Sequence, residues 1–348
     1  MLENWQTFLI EQGATIDDNV VSSFNTPEEE IEYSNNSTIL CDLSHYTLIK
    51  VTGADANRFL QGQLSNDINN VNETQSQMSS YCTPKGRALA LFRVFQFDDA
   101  YCLSLPTEIA EKTINRLKMF IMRSDVTMED VTDDYFHFGI AGEHASANLN
   151  TDLNIETLPT IPDEAVNTSD FSLQKLAGSP DRFEIFGHFD TAVTIWKKLS
   201  TNCQPVGQSA WNLQRINAGI PEILTETTDG FVPQMLNLQL INAVNFQKGC
   251  YPGQEIVART KYLGKLKKRL YLAEITTENP IPIGADVYES GDNQQSVGKV
   301  VSAEPSSTST YRLLLVLRIS ASENQPIFLS NKSGPTLTLL DLPYNSEE

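Results

Sequence analysis

The sequence predicts an α+β fold that ends in a small antiparallel β-barrel, and two observations support this prediction. Over about the first 200 residues, runs with helical spacing alternate with strand-like runs joined by turns, a mixture typical of α+β proteins. Beyond Arg269 the pattern changes to short strand-like segments divided by Gly, Pro, Ser and Asn, which favours a small barrel. We therefore expect a boundary near residue 269.

The N-terminal elements follow from apolar spacing. Residues 4–12 predict a short amphipathic helix, and the Asn- and Glu-rich residues 25–37 predict a surface loop. Residues 39–51 predict one strand, and residues 52–55 resemble the cap of a following helix. That helix has four apolar residues on one face: Phe59, Leu60, Leu64 and Ile68.

The next elements form a predicted meander. Turn residues at 81–86 separate two strand-like runs, and residues 101–105 can pair beside the second run, 88–97. Residues 107–122 have helical spacing, and residues 136–141 predict a strand.

A variable connection is expected at residues 150–180, which are rich in Thr, Pro, Asp and Ser. A second strand-helix step follows at 183–186 and 190–199. The barrel strands are expected at 270–275, 285–289, 297–301, 311–319, 327–329 and 336–340.

The overall composition is that of a globular protein with room for two or three domains. The chain has 348 residues, of which 40% are hydrophobic and 20% charged. Its first residues lack the basic and apolar regions of a signal peptide, and no apolar run is long enough to span a membrane. We therefore expect a cytoplasmic protein without a membrane partner.

Cysteine and charge content exclude some functions. The five cysteines are odd in number and have no C-x-x-C spacing, and the four histidines have no metal-ligand spacing. A disulfide framework or a self-contained metal site is therefore not expected. The net charge of −19 opposes general nucleic-acid binding, because a phosphate backbone attracts a positive surface.

A local basic stripe interrupts this acidic chain. Between residues 259 and 269 there are six basic residues and no acidic one. The stripe is either a solvated face or a region that attracts an anion such as an RNA backbone. Its residues are Arg259, Lys261, Lys265, Lys267, Lys268 and Arg269.

The segment around Cys250 is the leading candidate for chemistry. Pro252 and Gly253 suit the central positions of a type II turn, so the loop should present the cysteine to solvent. The nearby Lys248 ammonium would favour the thiolate form. Cys250 could be a nucleophile, a redox thiol or a ligand shared with a partner. It cannot hold an iron-sulfur cluster alone, because such clusters normally need four ligands.

Several motifs resemble the YgfZ family of folate-binding proteins, which are relatives of the glycine-cleavage T-protein. Residues 248–255 match the family's K-G-C-Y-x-G-Q-E signature at every specified position. Residues 213–221 are similar to its R-I-x-x-G-I-P segment, and residues 231–234 to its Pro-Gln step. The resemblance covers most of the chain.

The resemblance implies a T-protein-like folate-binding fold of mixed α/β subdomains, followed by the barrel. The expected domains are 1–130, then 131–268 with the KGCYPGQE motif, and 269–348, with the first two free to interleave in sequence. A central cleft would bind tetrahydrofolate or a derivative, and the basic stripe could attract the folate glutamate tail. Candidate folate-binding residues are Arg215, Asn217, Gln234, Tyr251, Gln254 and Glu255.

The resemblance further implies an accessory protein that supports assembly or repair of iron-sulfur enzymes, including those that modify tRNA. Its partners would be folate and iron-sulfur enzymes or assembly proteins, with tRNA involved indirectly. Cys250 and Lys248 would act at its reactive site. Whether the protein turns over a substrate is left open.

Two alternatives remain. One is a folate-dependent aminomethyltransferase, but T-protein enzymes have an acidic pair on the strand after the Gly-rich turn. Here Gly86 is followed by Arg87 and four apolar residues, so a general acid or base is missing. The other is an RNA-binding or tRNA-modification module that uses the basic stripe. Met235 and Gln239 also depart from the family pattern, where Glu and Asp are usual.

Overall fold

Two β-sheets and a closed barrel organise the chain. The computed structural model describes residues 1–290, 295–323, 326–331 and 333–345. The helices are α1 (Glu3–Glu11), α2 (Pro27–Asn36), α3 (Ala56–Gln63), α4 (Thr107–Lys118), α5 (Ala145–Leu153), α6 (Ala192–Leu199), α7 (Gln208–Asn217), α8 (Gln254–Tyr262) and α9 (Ile319–Ser322).

The strands before the barrel are β1 (Thr15–Asp17), β2 (Val20–Ser23), β3 (Ile39–Asp42), β4 (Tyr46–Thr52), β5 (Gln77–Cys82), β6 (Ala88–Phe97), β7 (Ala100–Pro106), β8 (Thr127–Asp130), β9 (Tyr135–Ala141), β10 (Ala165–Asn167), β11 (Phe171–Leu176), β12 (Arg182–His188) and β13 (Gln204–Val206). The barrel strands are β14 (Lys268–Thr276), β15 (Asp286–Glu289), β16 (Gly298–Pro305), β17 (Thr310–Arg318), β18 (Ile327–Leu329) and β19 (Thr336–Leu340). β1 and β2 form a separate hairpin.

The first sheet is five-stranded and antiparallel, in the order β5-β6-β7-β4-β8. Strand residues such as Phe92 and Leu103 are fully buried against Leu60 of α3 and Leu117 of α4. The predicted meander and the α+β character are confirmed. Helix α4 ends at Lys118, four residues before the predicted end.

The second sheet is six-stranded, in the order β10-β11-β12-β9-β3-β13. Its pairs are antiparallel except for β13, which runs parallel to β3. An aromatic cluster fills the core behind it, where Trp5 of α1 stacks on Phe138 and meets Trp196 of α6 edge-on. Such ring pairs stabilise the core beyond the area they bury.

The six predicted barrel strands all form, and they close in the order β14-β17-β16-β15-β18-β19. Closure removes exposed strand edges from this small sheet. Helix α7 packs on strand β16 of the barrel. The α+β fold with a C-terminal antiparallel barrel is confirmed.

The predicted loop at residues 25–37 is wrong, because helix α2 occupies Pro27–Asn36. Its N-terminus is a capping box, in which Thr26 accepts from the Glu29 amide and Glu29 accepts from the Thr26 amide. Pro27 is at the first helical position, where its missing N–H costs nothing. This start signal is present in the sequence, although the polar composition hid it.

The single strand predicted at residues 39–51 is also wrong. The chain turns after Asp42, whose Oδ1 accepts from the Ser44 amide at 3.0 Å. Strand β3 therefore joins the six-stranded sheet and β4 the five-stranded sheet. The two sheets thus interleave in sequence, since β3 precedes the β4–β8 segment.

Residues 150–180 are more ordered than predicted, because they contain strands β10 and β11 at one side of the second sheet. These short strands lie in a polar stretch, where apolar and polar residues alternate too weakly to predict a strand. Within the described ranges, no helix has both the length and the apolar character needed to cross a membrane.

Candidate functional site

A central cavity lies where the two sheets approach each other. Its walls come from strands β4 to β7, from β11 and β12, and from the end of α7 with the loop that follows. Its apolar lining is Met78, Leu91, Pro106, Leu176, Ala177, Ile220, Pro221 and Ile241. Its polar lining is Tyr46, Arg93, Ser104, Asp163, Arg182, Glu184, Arg215 and Glu222. Apolar walls with a few convergent polar groups are typical of small-molecule sites.

Charged groups in this cavity are paired across different segments. Arg215 Nη1 lies 2.6 Å from Glu222 Oε1, and the Tyr46 hydroxyl donates to the same oxygen at 2.5 Å. Arg93 forms an ion pair with Asp163. Burying these groups is tolerable because each charge has a partner.

Some buried donors in the cavity walls have no hydrogen-bond partner among the described residues. They are Nε of Arg182 and Nε of Arg215, on side chains that are 3% and 8% exposed as whole residues. An unpaired buried N–H is costly, so native structures usually satisfy it with protein, water or ligand. Both donors belong to residues that line the cavity, so a ligand with acceptor atoms is one group that could satisfy them.

Burial and neighbouring charges shift the pKa values of three residues that line the cavity. Burial lowers the pKa of Arg182 to about 10. For Arg215, burial alone would lower the pKa, but Glu222 and Tyr46 raise it above its usual value. Burial alone would raise the pKa of Glu184. The hydrogen bond and charge of His137, together with the charges of Arg93 and Arg182, outweigh burial and lower the pKa below its usual value. Glu184 is thus held as a carboxylate.

Two larger openings adjoin the central cavity, which itself has a volume of about 70 Å³. An outer cleft of about 790 Å³ shares Pro106, Arg215 and Glu222 with it and has three further carboxylates, Asp18, Glu108 and Glu304. A polar groove of about 990 Å³ shares Asp163 with it. Nine Asn and Gln side chains line that groove, together with Lys261. Asp163 is the one carboxylate among the described residues that line the groove, whereas four carboxylates line the outer cleft.

The Cys250 loop lies against a different part of the first sheet. Gly253 has φ +83° and ψ 0°, the values of the third residue of a type II turn, so the predicted turn is confirmed. A Cβ on Gly253 would meet Gly86 Cα at 2.6 Å, which shows how closely the loop approaches the β5–β6 turn. Cys250 is exposed, whereas the other four cysteines are buried.

Lys248 points into the protein rather than toward solvent. Its ammonium donates to the carbonyls of Gln61 at 2.7 Å and Leu64 at 2.5 Å, and it lies 5.2 Å from the Tyr251 ring centre. Burial lowers its pKa to about 8. The side chain therefore anchors the loop to the end of α3.

The predicted folate-binding residues do not form one cluster. Arg215 lines the central cavity, but Gln234 Nε2 donates to Val257 of α8 at 2.5 Å. Gln254 donates to the Lys248 carbonyl, and Tyr251 is 6% exposed. Asn217 ends α7 with an unpartnered amide oxygen, and Glu255 is exposed on α8. Their role in folate binding stays a prediction.

The basic stripe extends over three elements. Arg259 and Lys261 lie on α8, Lys265 and Lys267 on the connection, and Lys268 and Arg269 at the start of β14. Lys261 Nζ lies 4.4 Å from the Phe246 ring centre, at the edge of the polar groove. Glu255 and Arg259 are one helical turn apart but form no ion pair within 4.0 Å in the described structure.

Comparison with known proteins places this architecture in a family. A family model described as the GCVT N-terminal domain matches residues 7–248. The chain belongs to this family. Within it, the chain is 33% identical over 266 residues to the tRNA-modifying protein YgfZ of Colwellia psychrerythraea, covering 76% of this chain and 80% of the relative. The YgfZ of Yersinia enterocolitica is 29% identical over 310 residues, covering 89% and 93%.

The resemblance to YgfZ drawn from the motifs is therefore confirmed. A solved structure, the glycine cleavage system aminomethyltransferase T from Bartonella henselae, has the same fold as this GCVT-family chain. The TM-score is 0.80 over 97% of this chain and 96% of that one, at 18% identity. The T-protein-like fold is confirmed.

Of the charged residues that line the cavity of this GCVT-family chain, only Arg215 was predicted from the sequence as a site residue. Arg93 lies within the apolar run of β6, and Arg182 and Glu184 flank Phe183 in β12. A charge inside an otherwise apolar strand is a usable signal, because such a group is buried only when it has a partner. Asp163 and Glu222 lie in connecting segments and had no such signal.

Proposed function

We propose that this protein binds tetrahydrofolate through the central cavity and supports the iron-sulfur enzymes that modify tRNA, with Cys250 as its reactive thiol. The observation that supports folate binding best is the pair of unpartnered guanidinium donors, on Arg182 and Arg215, beside the carboxylates Glu184 and Glu222. A pterin edge has both N–H donors and carbonyl or ring-nitrogen acceptors. Carboxylates can accept hydrogen bonds from the N–H groups of the pterin, and guanidinium groups can donate to its carbonyl oxygen and ring nitrogens.

The charges around the cavity favour one placement for the rest of the ligand. The folate tail is a carboxylate, and the outer cleft has Asp18, Glu108 and Glu304, which would repel it. The polar groove has Lys261 and adjoins Asp163, whose charge is paired with Arg93. The tail would therefore lie in the polar groove, toward the basic stripe.

The ring requires more room than the cavity of about 70 Å³ offers in this conformation, since small-molecule sites usually measure about 300–1,000 Å³. Met78 and Ile241 are half-buried side chains of the lining without polar contacts to lose. Met in particular adapts its shape readily. Folate binding would move these side chains while the ion pairs stay in place.

Calorimetry with tetrahydrofolate tests this site. We expect Glu184→Gln to weaken binding by about tenfold or more, because one hydrogen bond to a charged group is worth about 1.5–3 kcal/mol. Glu304→Gln is the matched control: Glu304 accepts from Ser209 and Asn212 outside the central cavity. Cys250→Ala should bind like the wild type. No measurable binding, or equal affinity for Glu184→Gln, would contradict the proposal.

The role of Cys250 is proposed separately from folate binding. Its exposure in a turn-terminated loop suits contact with a partner or a cluster, and the name of the relatives, tRNA-modifying protein, supports a link to tRNA. Among the described residues no group of three His, Cys, Asp or Glu side chains could hold a metal ion. The thiol would therefore act with groups supplied by another protein.

Complementation in a strain that lacks the corresponding protein tests this role. We expect Cys250→Ala to leave iron-sulfur tRNA-modifying activity low, and Cys203→Ala, which changes a buried thiol, to restore it. Full restoration by Cys250→Ala would show that the thiol is dispensable.

The aminomethyltransferase alternative has less support. Leu91, on the strand after Gly86, lines the cavity, and the cavity carboxylates Asp163 and Glu222 are each paired with an arginine. Pairing with a cation stabilises the charged form and makes a carboxylate a weaker base. Turnover of a tetrahydrofolate one-carbon donor by the purified protein would favour this alternative.

The RNA-binding alternative uses the basic stripe. Lys265 and Lys267 are exposed, and Lys261 borders the amide-lined groove. Salt-dependent tRNA binding that disappears after reversing Lys265, Lys267 and Lys268 would support it.

A further inference from the structure

A second concave surface, apolar rather than polar, lies beside α4. It is a groove of about 450 Å³ between α4 and residues 225–228. We call it the α4 groove, and its lining includes Tyr81, Leu89, Ile109, Thr113, Met119 and Thr228. It shares no lining residue with the central cavity, the outer cleft or the polar groove.

Exposed apolar side chains follow the lining residue Met119 in the sequence. Met119, Phe120 and Met122 are 66%, 45% and 87% exposed. Met122 also has φ +48°, a left-handed conformation that is uncommon for a residue other than glycine. Contiguous exposed apolar groups on a soluble protein mark interaction sites more often than single ones do, and methionine is favoured at surfaces that adapt to a partner.

The rim of this surface is basic. Lys112 and Arg116 of α4 line the groove, and no acidic residue is among the described residues that line it. In the described structure neither side chain forms an ion pair within 4.0 Å, although Arg116 hydrogen-bonds the Tyr81 hydroxyl. Of the acids of α4, Glu108 accepts from the Thr225 amide at 2.5 Å, and Glu111 lies beside Lys112 in sequence. A positive rim is unusual on a chain of net charge −19.

The groove also lies against the β5–β6 hairpin, whose turn contacts the Cys250 loop. Tyr81 and Leu89 belong to the β5–β6 hairpin, and both line the groove. The turn of that same hairpin contacts the loop, where Gly86 approaches Gly253 and Ile256. A molecule in the groove would therefore touch the hairpin on which the reactive loop rests.

We propose that the α4 groove docks an acidic, amphipathic helix of a partner protein. The apolar face of that helix would fill the groove and cover Met119, Phe120 and Met122, while its carboxylates would face the basic rim. A helix in a groove is a common way to recognise a peptide segment, with apolar anchors at helical spacing. Complementary charge adds specificity and speeds association.

Two other occupants fit less well. A bilayer surface cannot fill a recess lined by Leu89 and Thr228, because filling it requires a ridge. A second copy in a two-fold dimer would place one basic rim against the other, which is repulsive. An acidic helix satisfies both the shape and the charge.

The test uses an 18-residue fluorescein-labelled peptide with leucines on one helical face and glutamates elsewhere, titrated with the full-length protein and followed by anisotropy. We expect Met119→Gln/Met122→Gln to weaken binding by about tenfold, because a few buried anchors usually supply most of the affinity. Lys112→Glu, which reverses an exposed charge of the lining, should weaken it by about threefold or more, and less so at high salt. The matched controls, Ile161→Gln and Lys198→Glu, change exposed side chains elsewhere and should bind like the wild type.

The proposal does not depend on folate binding or on Cys250, so it can fail independently of them. No binding of the peptide would overturn it, as would equal binding of a scrambled peptide without an apolar face. Stronger binding to vesicles of phosphatidylcholine and phosphatidylglycerol, abolished by the methionine variant, would assign the surface to a membrane instead. A dimer in sedimentation velocity that the methionine variant dissociates would assign it to self-association.

Discussion

Arg215 and Glu222 form a buried ion pair, 2.6 Å apart, that separates the central cavity from the outer cleft. Their side chains are 9% and 11% exposed, and the Tyr46 hydroxyl completes the arrangement by donating to Glu222. The pair therefore joins α7, the loop after it and strand β4 at the wall of the proposed folate site.

Breaking this pair should destabilise the fold. We expect Arg215→Met to lower the free energy of unfolding by about 3–5 kcal/mol, because the Glu222 carboxylate would be left buried without its cation. Urea denaturation measures the effect. Lys299→Met is the control: it breaks an exposed pair with Asp286 and should cost less than about 1 kcal/mol. If the double variant Arg215→Met/Glu222→Leu recovers no stability, an unpaired charge is not the cause.

Lys248 should make stability depend on pH in the alkaline range. Burial lowers its pKa from the usual 10.5 to about 8 in the folded protein, so between these values the unfolded chain holds more protons. This group therefore makes the free energy of unfolding rise as pH increases from about 8 to about 10.5. We expect the rise in urea melts of the wild type and its loss in Lys248→Met. A carbon-13 titration of the Lys248 Cε with a midpoint near 10.5 would contradict the assignment.

Gly253 should be essential for the conformation of the Cys250 loop. In Gly253→Ala, a side chain would have to adopt φ +83° and would clash with Gly86 Cα at 2.6 Å. We expect a loss of at least about 1–2 kcal/mol in thermal denaturation, from the left-handed backbone alone. Gly249→Ala is the control in the same loop, because its Cβ would meet no atom within 4 Å. Equal melting temperatures for the two variants would show that the turn tolerates a side chain.

Cys250 should be the first thiol to react with an alkylating agent. Burial raises the pKa of Cys82 to about 11, of Cys203 to about 11 and of Cys102 to about 12, and it raises the pKa of Cys41 as well. These four groups stay protonated and buried at pH 8, whereas Cys250 is exposed. Mass spectrometry after brief treatment with iodoacetamide should find one modified cysteine, and none in Cys250→Ser. Labelling of a second cysteine in the folded protein would contradict this.

Local sequence patterns predicted many of the elements. The type II turn at Gly253, the meander at β5–β7 and the six barrel strands depend on short-range features that the sequence displays directly. The two wrong predictions also concern local features. The capping box at the start of α2 was taken for part of a polar loop, and the tight turn at Asp42 was missed within an apolar run.

The sequence by itself determined the fold class, the family and the exposed cysteine, because each depends on periodicity or on a contiguous motif. Only the tertiary structure decided that Arg93, Asp163, Arg182, Glu184, Arg215 and Glu222 share one cavity. These six residues come from five segments of the chain, and the distances between those segments depend on how the two sheets pack. The tertiary structure also decided the direction of the Lys248 side chain. Its ammonium donates to the Leu64 carbonyl at the end of α3, 184 residues away in sequence, and no local pattern predicts such a contact.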